Sequence, residues 1–488
     1  MTKEIRRLSI IVAFMFVALF ASTSVIQVVQ ASALNEDPNN RRAQYDRYEV
    51  RRGPIIAGGE QIARSQATDD EFAYQRVYEE SDLWSGITGW INPVLGSETG
   101  LEQAMSQELS GFADSGFLAR LNQIVTGQEP RGSSLELTVD PTVQRAARDA
   151  MTSMGYSGAV VAIEPDTGRI LALVTTPGFD ANALTSHDVD QVTAAYDELN
   201  ADERNPLINR ALNTLYAPGS TFKLVVAAAA LASGDFTAES TFDNPSEYTL
   251  PGTSFKIRNA PFGPCGGSSA ETVSLADAIT YSCNIPMAQL AEELGEDAIR
   301  EQAEKFGFGS SFDTPIASAV SSYPTGMSDD KLAQTGYGQY DVRTTPLQVA
   351  QWTAAIANDG VEMDPWLVDQ IVGDDLSVQK KYDPSERGRA LDADDAESVT
   401  EMMVSSVAVG ASSNARIEGV DVAGKTGTAE NGPEDPYTLW FAGFAPAENP
   451  EVAVAVVVED GGGQGQSGDG NTIAAPIAKK VMEAVLAQ

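Results

Sequence analysis

Tyr216-Ala217-Pro218-Gly219-Ser220-Thr221-Phe222-Lys223-Leu224-Val225-Val226-Ala227-Ala228-Ala229-Ala230-Leu231-Ala232-Ser233-Gly234 is the stretch on which the reading of this chain turns. From Thr221 to Ala232 it is apolar nearly all round, which predicts a helix in the middle of a domain with Gly234 as its stop. Ser220 then stands at the helix N-terminus, beside backbone N–H groups that have no intrahelical partner. Lys223 follows three residues on and shares its face. A cation on an otherwise apolar central helix is costly to bury. A buried amine beside a serine is what activation of a hydroxyl nucleophile requires.

To act as a base, the amine must be neutral. Lowering a lysine pKa from about 10.4 to about 7 takes roughly 4–5 kcal/mol of destabilisation of the cation. Desolvation can supply it, and so can a second cation. Lys425 is the candidate second cation. It stands in Gly424-Lys425-Thr426-Gly427-Thr428, the only Lys-Thr-Gly in the chain, whose small residues suit a strand edge that a ligand backbone approaches closely. Ser-x-x-Lys recurs at Ser328-Asp329-Asp330-Lys331 and Ser377-Val378-Gln379-Lys380, where neighbouring charges read as solvated surface. Ser282-Cys283-Asn284 lies between two helical segments, where a hydroxyl and an amide can relay a proton and orient a substrate amide. Ser412-Ser413-Asn414 sits in a small polar run and reads as a loop.

Further out, Gly158 to Ile163 and Ile170 to Val174 read as two apolar strands joined by the turn Asp166-Thr167-Gly168. Leu439 to Ala445 and Val452 to Val458 are two more, and Ala474 to Leu486 is a closing helix. Strands at both ends around a helix-rich middle predict an α+β domain with one sheet built from both termini and a helical insertion. Leu135 to Val139 alternates like a strand, and Asp140-Pro141 then opens a helix. Before about Arg131 the pattern is irregular and reads as a small α+β module.

At the start, Lys3, Arg6 and Arg7 precede a charge-free run whose apolar part, Leu8 to Val29, meets the ~20 residues of a spanning helix. Positive residues on that flank put the N-terminus inside and the body of the chain outside. Ala31-Ser32-Ala33 resembles a cleavage site, but the length of the apolar run favours retention. The expected organisation is a cytoplasmic tip and anchor over 1–30, an N-terminal pedestal over 31–134 and a catalytic domain over 135–488. In an oxidising compartment Cys265 and Cys283 form either a disulfide or a pair of buried thiols.

Composition prunes the alternatives. With 42% hydrophobic and 21% charged residues, the chain is of folded rather than disordered type. A net charge of −37 argues against nucleic acid, and any anionic substrate must be held by a local cationic pocket. The single histidine, His187, lies in a polar run and reads as a surface residue, which leaves no Ser-His-Asp hydrolase to build. One histidine and two cysteines do not make a zinc centre, so no metal or cofactor is expected. Gly463 to Gly468 fits a dinucleotide fingerprint, but the residues from there to the C-terminus are mostly helix, so it reads as a flexible loop.

The order Ser220-x-x-Lys223, Ser282-x-Asn284, Lys425-Thr426-Gly427 resembles the signature of penicillin-binding proteins and class A β-lactamases. Asn209-Arg210-Ala211, Arg52-Gly53-Pro54-Ile55, Gly336-Tyr337-Gly338-Gln339 and Thr344-Thr345-Pro346 resemble the class B penicillin-binding proteins in particular, with the first 130 residues least specific. The resemblance implies a β-lactamase-like transpeptidase domain: an antiparallel sheet covered by helices, with a helical subdomain. It implies that Ser220, deprotonated by Lys223, attacks the penultimate D-Ala carbonyl of a peptidoglycan stem peptide. D-Ala then leaves, and an amine from a neighbouring strand resolves the ester. In that scheme Ser282 relays the proton and Asn284 bonds the donor peptide. Lys425, Thr426, Gly427 and Thr428 hold its carboxylate. The N–H groups of Ser220 and Thr428 form an oxyanion hole, each such donor lowering the barrier by about 3–4 kcal/mol. A Cys265–Cys283 bond would brace the rim.

β-Lactams are the implied inhibitors, and a polymerising glycosyltransferase of the membrane is the implied partner. Two other functions fit the same motifs. A D,D-carboxypeptidase or β-lactamase is opposed by the anchor and the N-terminal module. It also lacks the deacylating glutamate: Glu198-Leu199-Asn200 echoes it, but Tyr196 replaces the earlier Glu and the segment precedes the nucleophile. A non-catalytic β-lactam sensor or division scaffold is opposed by Lys223 and Lys425, which a scaffold does not need.

Overall fold

A computed structural model describes residues 2–30, 50–111, 131–260, 262–312 and 314–488. Ala31-Ser32-Ala33 and the polar segment that starts at Asn35 fall outside them up to residue 49. The N-terminal helix Thr2–Ser24 runs on into a π turn, Val25–Val29. Its Lys3–Gln27 span is long and apolar enough to cross a membrane, and none of it is buried against the rest of the chain. It fits a single-pass membrane anchor.

The N-terminal module is built on a six-stranded sheet in the order Val378–Lys381, Val368–Val372, Ser134–Leu137, Ile55–Ala57, Glu60–Ala67, Tyr74–Tyr78. The Ser134–Leu137 strand pairs in parallel with Ile55–Ala57 and antiparallel with Val368–Val372, so a late segment of the chain returns to complete the early sheet. Leu135 and Leu137 turn inward, as their alternation requires. Periodicity sets which face of a strand is buried but not which strand it pairs with. Under this sheet Glu102 is fully buried between two arginines, bonded to Arg52 Nε at 2.9 Å and Arg76 Nε at 2.6 Å.

The catalytic-domain sheet is antiparallel in the order Ala423–Ala429, Thr438–Ala445, Val452–Val458, Gly158–Ile163, Ile170–Thr176. Strands from both ends of the domain thus form one sheet, with the helical insertion between them. Its inner strands are apolar at every position but Thr438 because both faces are covered. Val454, Val456 and Val458 pack with helices Pro141–Thr152 and Ala474–Leu486. The alternate residues Ala453, Ala455 and Val457 pack with Pro346–Ala357 on the other face. The edge strand Ala423–Ala429 faces the insertion, whose central helix Lys223–Ser233 is buried from Lys223 to Leu231 and stops at Gly234 in the left-handed region.

His187 is a half-buried tie rather than a surface residue. Its Nδ1 sits 2.6 Å from Asp70, and its ring lies against Phe72 of the N-terminal module.

Candidate active site

The nucleophile turn is fixed from three sides. Gly219–Phe222 is a single 3-10 turn leading into the helix, so the helix proper begins at Lys223 rather than at Thr221. Tyr216 and Thr344 exchange backbone hydrogen bonds of 2.9 Å, Trp440 Nε1 donates to Ala217 O at 3.0 Å, and Gly219 N–H donates to Gly338 O at 3.0 Å. Gly219 has φ +53°, and a Cβ there would sit 3.0 Å from the Thr428 carbonyl. A Cβ on Gly338 would lie 1.9 Å from Gly219 O. Both glycines serve close backbone approach.

Lys223 and Lys425 are fully buried, and both converge on Ser282. Lys223 Nζ donates to Ser282 O at 2.7 Å and Asn284 Oδ1 at 2.8 Å, with a longer contact of 3.4 Å to Ser282 Oγ. Lys425 Nζ donates to Ser282 Oγ at 2.6 Å and Thr426 O at 2.9 Å. Ser282 has φ +59°, a strained conformation for a serine, and from it presents its carbonyl to one lysine and its hydroxyl to the other. Cys283 is disulfide-bonded to Cys265, and both are buried. The bond closes an 18-residue separation, so opening it by Cys265→Ser/Cys283→Ser is expected to cost about 3 kcal/mol. Thermal unfolding with and without reductant measures it, and an unchanged Tm would contradict it.

Electrostatics follow from burial. Desolvation first, and then the charge of Lys425, hold Lys223 well below the usual lysine range; desolvation pushes Lys425 down to about 7. A neutral amine has two N–H donors and one lone pair. Ser282 O and Asn284 Oδ1 engage both donors of Lys223, leaving the lone pair to take a proton. Among the described residues no hydrogen bond joins Lys223 Nζ to Ser220 Oγ.

A lysine whose folded-state pKa is depressed binds fewer protons folded than unfolded, so stability rises with pH across the interval between the two values. For Lys425 that interval runs from about 7 to the unperturbed 10.5. Its burial costs roughly 5 kcal/mol at neutral pH by the usual conversion. Lys425→Met is therefore expected to be more stable than the parent at pH 7, with the gap closing towards pH 10.5. Denaturant midpoints at several pH values measure it, and a pH-independent difference would contradict it.

The remaining motif residues are placed less simply. Thr426 directs its N–H to Ser412 Oγ at 3.0 Å and its hydroxyl to Ala411 O at 3.1 Å, so its side chain is engaged on the protein. By the two-residue alternation of an edge strand, Thr428 turns its N–H the same way, off the sheet and towards the nucleophile turn. Asn284 is engaged at both ends, its Nδ2 donating to Arg258 O at 2.9 Å. Gly427 abuts the turn, where a Cβ would meet Pro218 O at 3.0 Å. Two residues escaped the sequence reading. Ser412, dismissed with its loop, is fully buried and holds the outer edge of the Lys-Thr-Gly strand. Asn259 accepts the N–H groups of Asn284 and Ile285 at 2.9 and 3.0 Å, fixing the Ser-x-Asn turn. Asn259 stands in no motif, and Ser412 stands in a second Ser-x-Asn whose polar surroundings read as a loop.

A helix-opening serine, a buried lysine one turn on and a second lysine on the facing strand edge define a serine acyltransferase of the penicillin-binding type. Residues 158–483 match the penicillin binding protein transpeptidase domain, and residues 52–135 match the penicillin binding protein A dimerisation domain. The chain belongs to the class B penicillin-binding proteins. It is 40% identical over 493 residues to the peptidoglycan D,D-transpeptidase PbpA of Mycobacterium tuberculosis, covering 100% of this chain and 99% of that protein. The PbpA of Mycolicibacterium smegmatis is 39% identical over 498 residues, again covering 100% of this chain and 99% of the relative. Among solved structures, the imipenem acyl-enzyme complex of M. tuberculosis penicillin-binding protein A superposes with a TM-score of 0.85 at 40% identity. The penicillin G acyl-enzyme complex does so with 0.83 at 39%. Each comparison covers 90% of this chain and 100% of the other.

Proposed function

We infer that this chain is a peptidoglycan D,D-transpeptidase that cross-links stem peptides through an acyl-Ser220 intermediate and is acylated by β-lactams at the same oxygen. The observation that carries this reading is the convergence of two buried lysines on Ser282, at 2.7 and 2.6 Å, behind a helix-opening serine. Lys223 takes the Ser220 proton as Oγ bonds to the carbonyl carbon of the penultimate D-Ala. Lys425 keeps Ser282 oriented to return a proton to the departing D-Ala nitrogen as the C–N bond breaks. In the second half the incoming amine forms a new C–N bond, the ester C–Oγ bond breaks, and the proton goes back to Ser220 through Lys223. Lys425 and the Gly427-Thr428 edge hold the donor carboxylate, with the Ser220 and Thr428 N–H groups on the oxyanion. The engaged side chains of Thr426 and Asn284 favour positioning roles for both, Asn284 for the Lys223 amine above all.

Mass spectrometry of the penicillin-labelled protein tests the reading. The adduct is expected on the peptide carrying Ser220, and modification of another residue would overturn it. Its lifetime separates transferase from hydrolase, because Glu198 and Asn200 both lie exposed on the Val189–Ala201 helix. An adduct cleared within seconds would favour the hydrolase. We further infer that the N-terminus is cytoplasmic and the catalytic domain lies outside the membrane. The anchor and N-terminal module then meet a membrane glycosyltransferase partner. Unchanged co-purification after both segments are exchanged would refute that contact.

A further inference from the structure

One loop, Gly336-Tyr337-Gly338-Gln339, is hydrogen-bonded both to the nucleophile turn and to the end of the Lys-Thr-Gly strand. We propose that Gln339 is the positioning residue of the oxyanion hole. Its amide holds the strand that carries Thr428 at a fixed distance from the Ser220 turn. The proposal rests on the transpeptidase reading above.

Ala423–Ala429 is the edge strand of its sheet, so alternate residues turn their N–H and C=O off the sheet. Thr426 is one of them, and both its groups are taken. Its N–H goes to Ser412 Oγ at 3.0 Å, and its C=O accepts Lys425 Nζ at 2.9 Å. Glu430, four residues on, is taken at both groups as well. Gln339 Nε2 donates to Glu430 O at 3.2 Å, and Gln339 Oε1 accepts the Glu430 N–H at 3.0 Å. The amide orientation is the one in which both bonds form. A side chain thus stands where a neighbouring strand would. Between these two caps, nothing among the described residues takes the N–H or C=O of Thr428. The open residue faces the nucleophile turn, since a Cβ on Gly219 would meet the Thr428 carbonyl at 3.0 Å. The edge is therefore closed on both sides of the one residue left for a ligand.

The loop that carries Gln339 is itself anchored. Gly336, Tyr337, Gly338 and Gln339 donate their N–H groups back to Ala333, Gln334, Thr335 and Gln334, extending the helix Asp329–Thr335. Gly338 O then accepts the Gly219 N–H at 3.0 Å. A short path of hydrogen bonds joins the Thr428 strand to the Ser220 turn, and Gln339 is its last link. The donor carbonyl oxygen becomes an anion only in the transition state. Both N–H groups must then lie about 2.7–3.1 Å from it. Among the described residues only Gln339 bonds to the Glu430 backbone, so without the amide the strand end is released on that side.

The test follows penicillin G acylation of the full chain in detergent over a range of antibiotic concentrations. Saturation separates the Kd of the first complex from the rate of bond formation. Gln339→Met keeps the length of the side chain and loses both bonds. Gln339→Glu still accepts the Glu430 N–H but has nothing to donate to its carbonyl. In Gln339→Met the rate of bond formation is expected to fall about 10–100-fold, less than removal of an oxyanion donor outright. Gln339→Glu should fall between the methionine variant and the parent. Kd should stay within about twofold, as for an interaction used only in the transition state. The pH midpoint of acylation should not move, because the lysine pair is untouched, whereas general loosening of the site would shift the midpoint or raise Kd. An unchanged rate in Gln339→Met, or a loss carried by Kd alone, overturns the proposal. If Gln339→Met does not fold, Gln339→Glu decides by the same two readouts. Failure of the parent to form acyl-Ser220 at all would instead strike the transpeptidase reading.

Discussion

Lys223→Met is expected to slow penicillin acylation of Ser220 by about 10²–10⁴-fold, the range in which a positioned general base contributes. The methionine fills the same buried volume but offers no lone pair to the hydroxyl proton. Ser220→Ala should abolish the adduct altogether. Lys223→Arg should be as slow as the methionine variant, because a guanidinium does not give up its proton and so never becomes a base. The loss has a signature that general damage lacks. Burial and the charge of Lys425 depress the Lys223 pKa, so the amine strains the folded state wherever the unfolded chain would protonate it. Removing it should leave Tm at neutral pH equal to or above the parent's. Labelling with a fluorescent penicillin over time, beside a thermal melt, reads both. A Lys223→Met protein that labels at the parent's rate would remove the lysine from the mechanism.

The second large effect lies far from the chemistry. Glu102→Ala is expected to destabilise the protein by about 3–5 kcal/mol, because it strands the buried Arg76 guanidinium without a counter-charge and leaves Arg52 only its longer pair with Glu98. Arg52 and Arg76 are both nearly inaccessible and share this one carboxylate, with Glu98 reaching Arg52 only at 3.8 Å. The cluster already lacks full satisfaction, since Arg76 Nη2 and Tyr78 Oη have no partner among the described residues. It therefore has little capacity to absorb a further loss. Glu102→Gln keeps the shape and one acceptor and should fall between parent and alanine variant. Denaturant unfolding followed by tryptophan fluorescence measures it, with Trp84 and Trp90 reporting from the N-terminal module. A Glu102→Ala midpoint equal to the parent's would show that the buried ions are not interdependent.

Much of the catalytic domain was legible because its signals are local. The all-round apolarity of Thr221 to Ala232 marked a central helix, and the buried Lys223 broke that pattern. The hairpin around Asp166-Thr167-Gly168 and the paired valine strands near the end announced a covered sheet. The spanning helix was legible for the same reason, as hydropathy needs no partner. The left-handed Ser282 was not legible, because nothing in Tyr281-Ser282-Cys283 calls for a positive φ. Two lysines approaching from different elements demand it, one at the carbonyl and one at the hydroxyl. Ser412 was misjudged for the same reason. In the chain it is one serine of a polar run, and in the fold it takes the outward N–H of an edge strand.

What the sequence by itself determined is therefore the inventory: a nucleophile at the head of a buried helix, two lysines that cannot both be comfortably charged, a sheet drawn from both ends of its domain, and an apolar anchor. These are properties of spacing within single elements, which the 3.6- and 2-residue periods make readable. Only the tertiary structure decided that Val368–Val372 returns to the early sheet and that Asn284 points its amide oxygen at Lys223. Those are contacts between residues far apart in the chain. Packing two elements together sets which atoms face each other, and no local pattern encodes that choice.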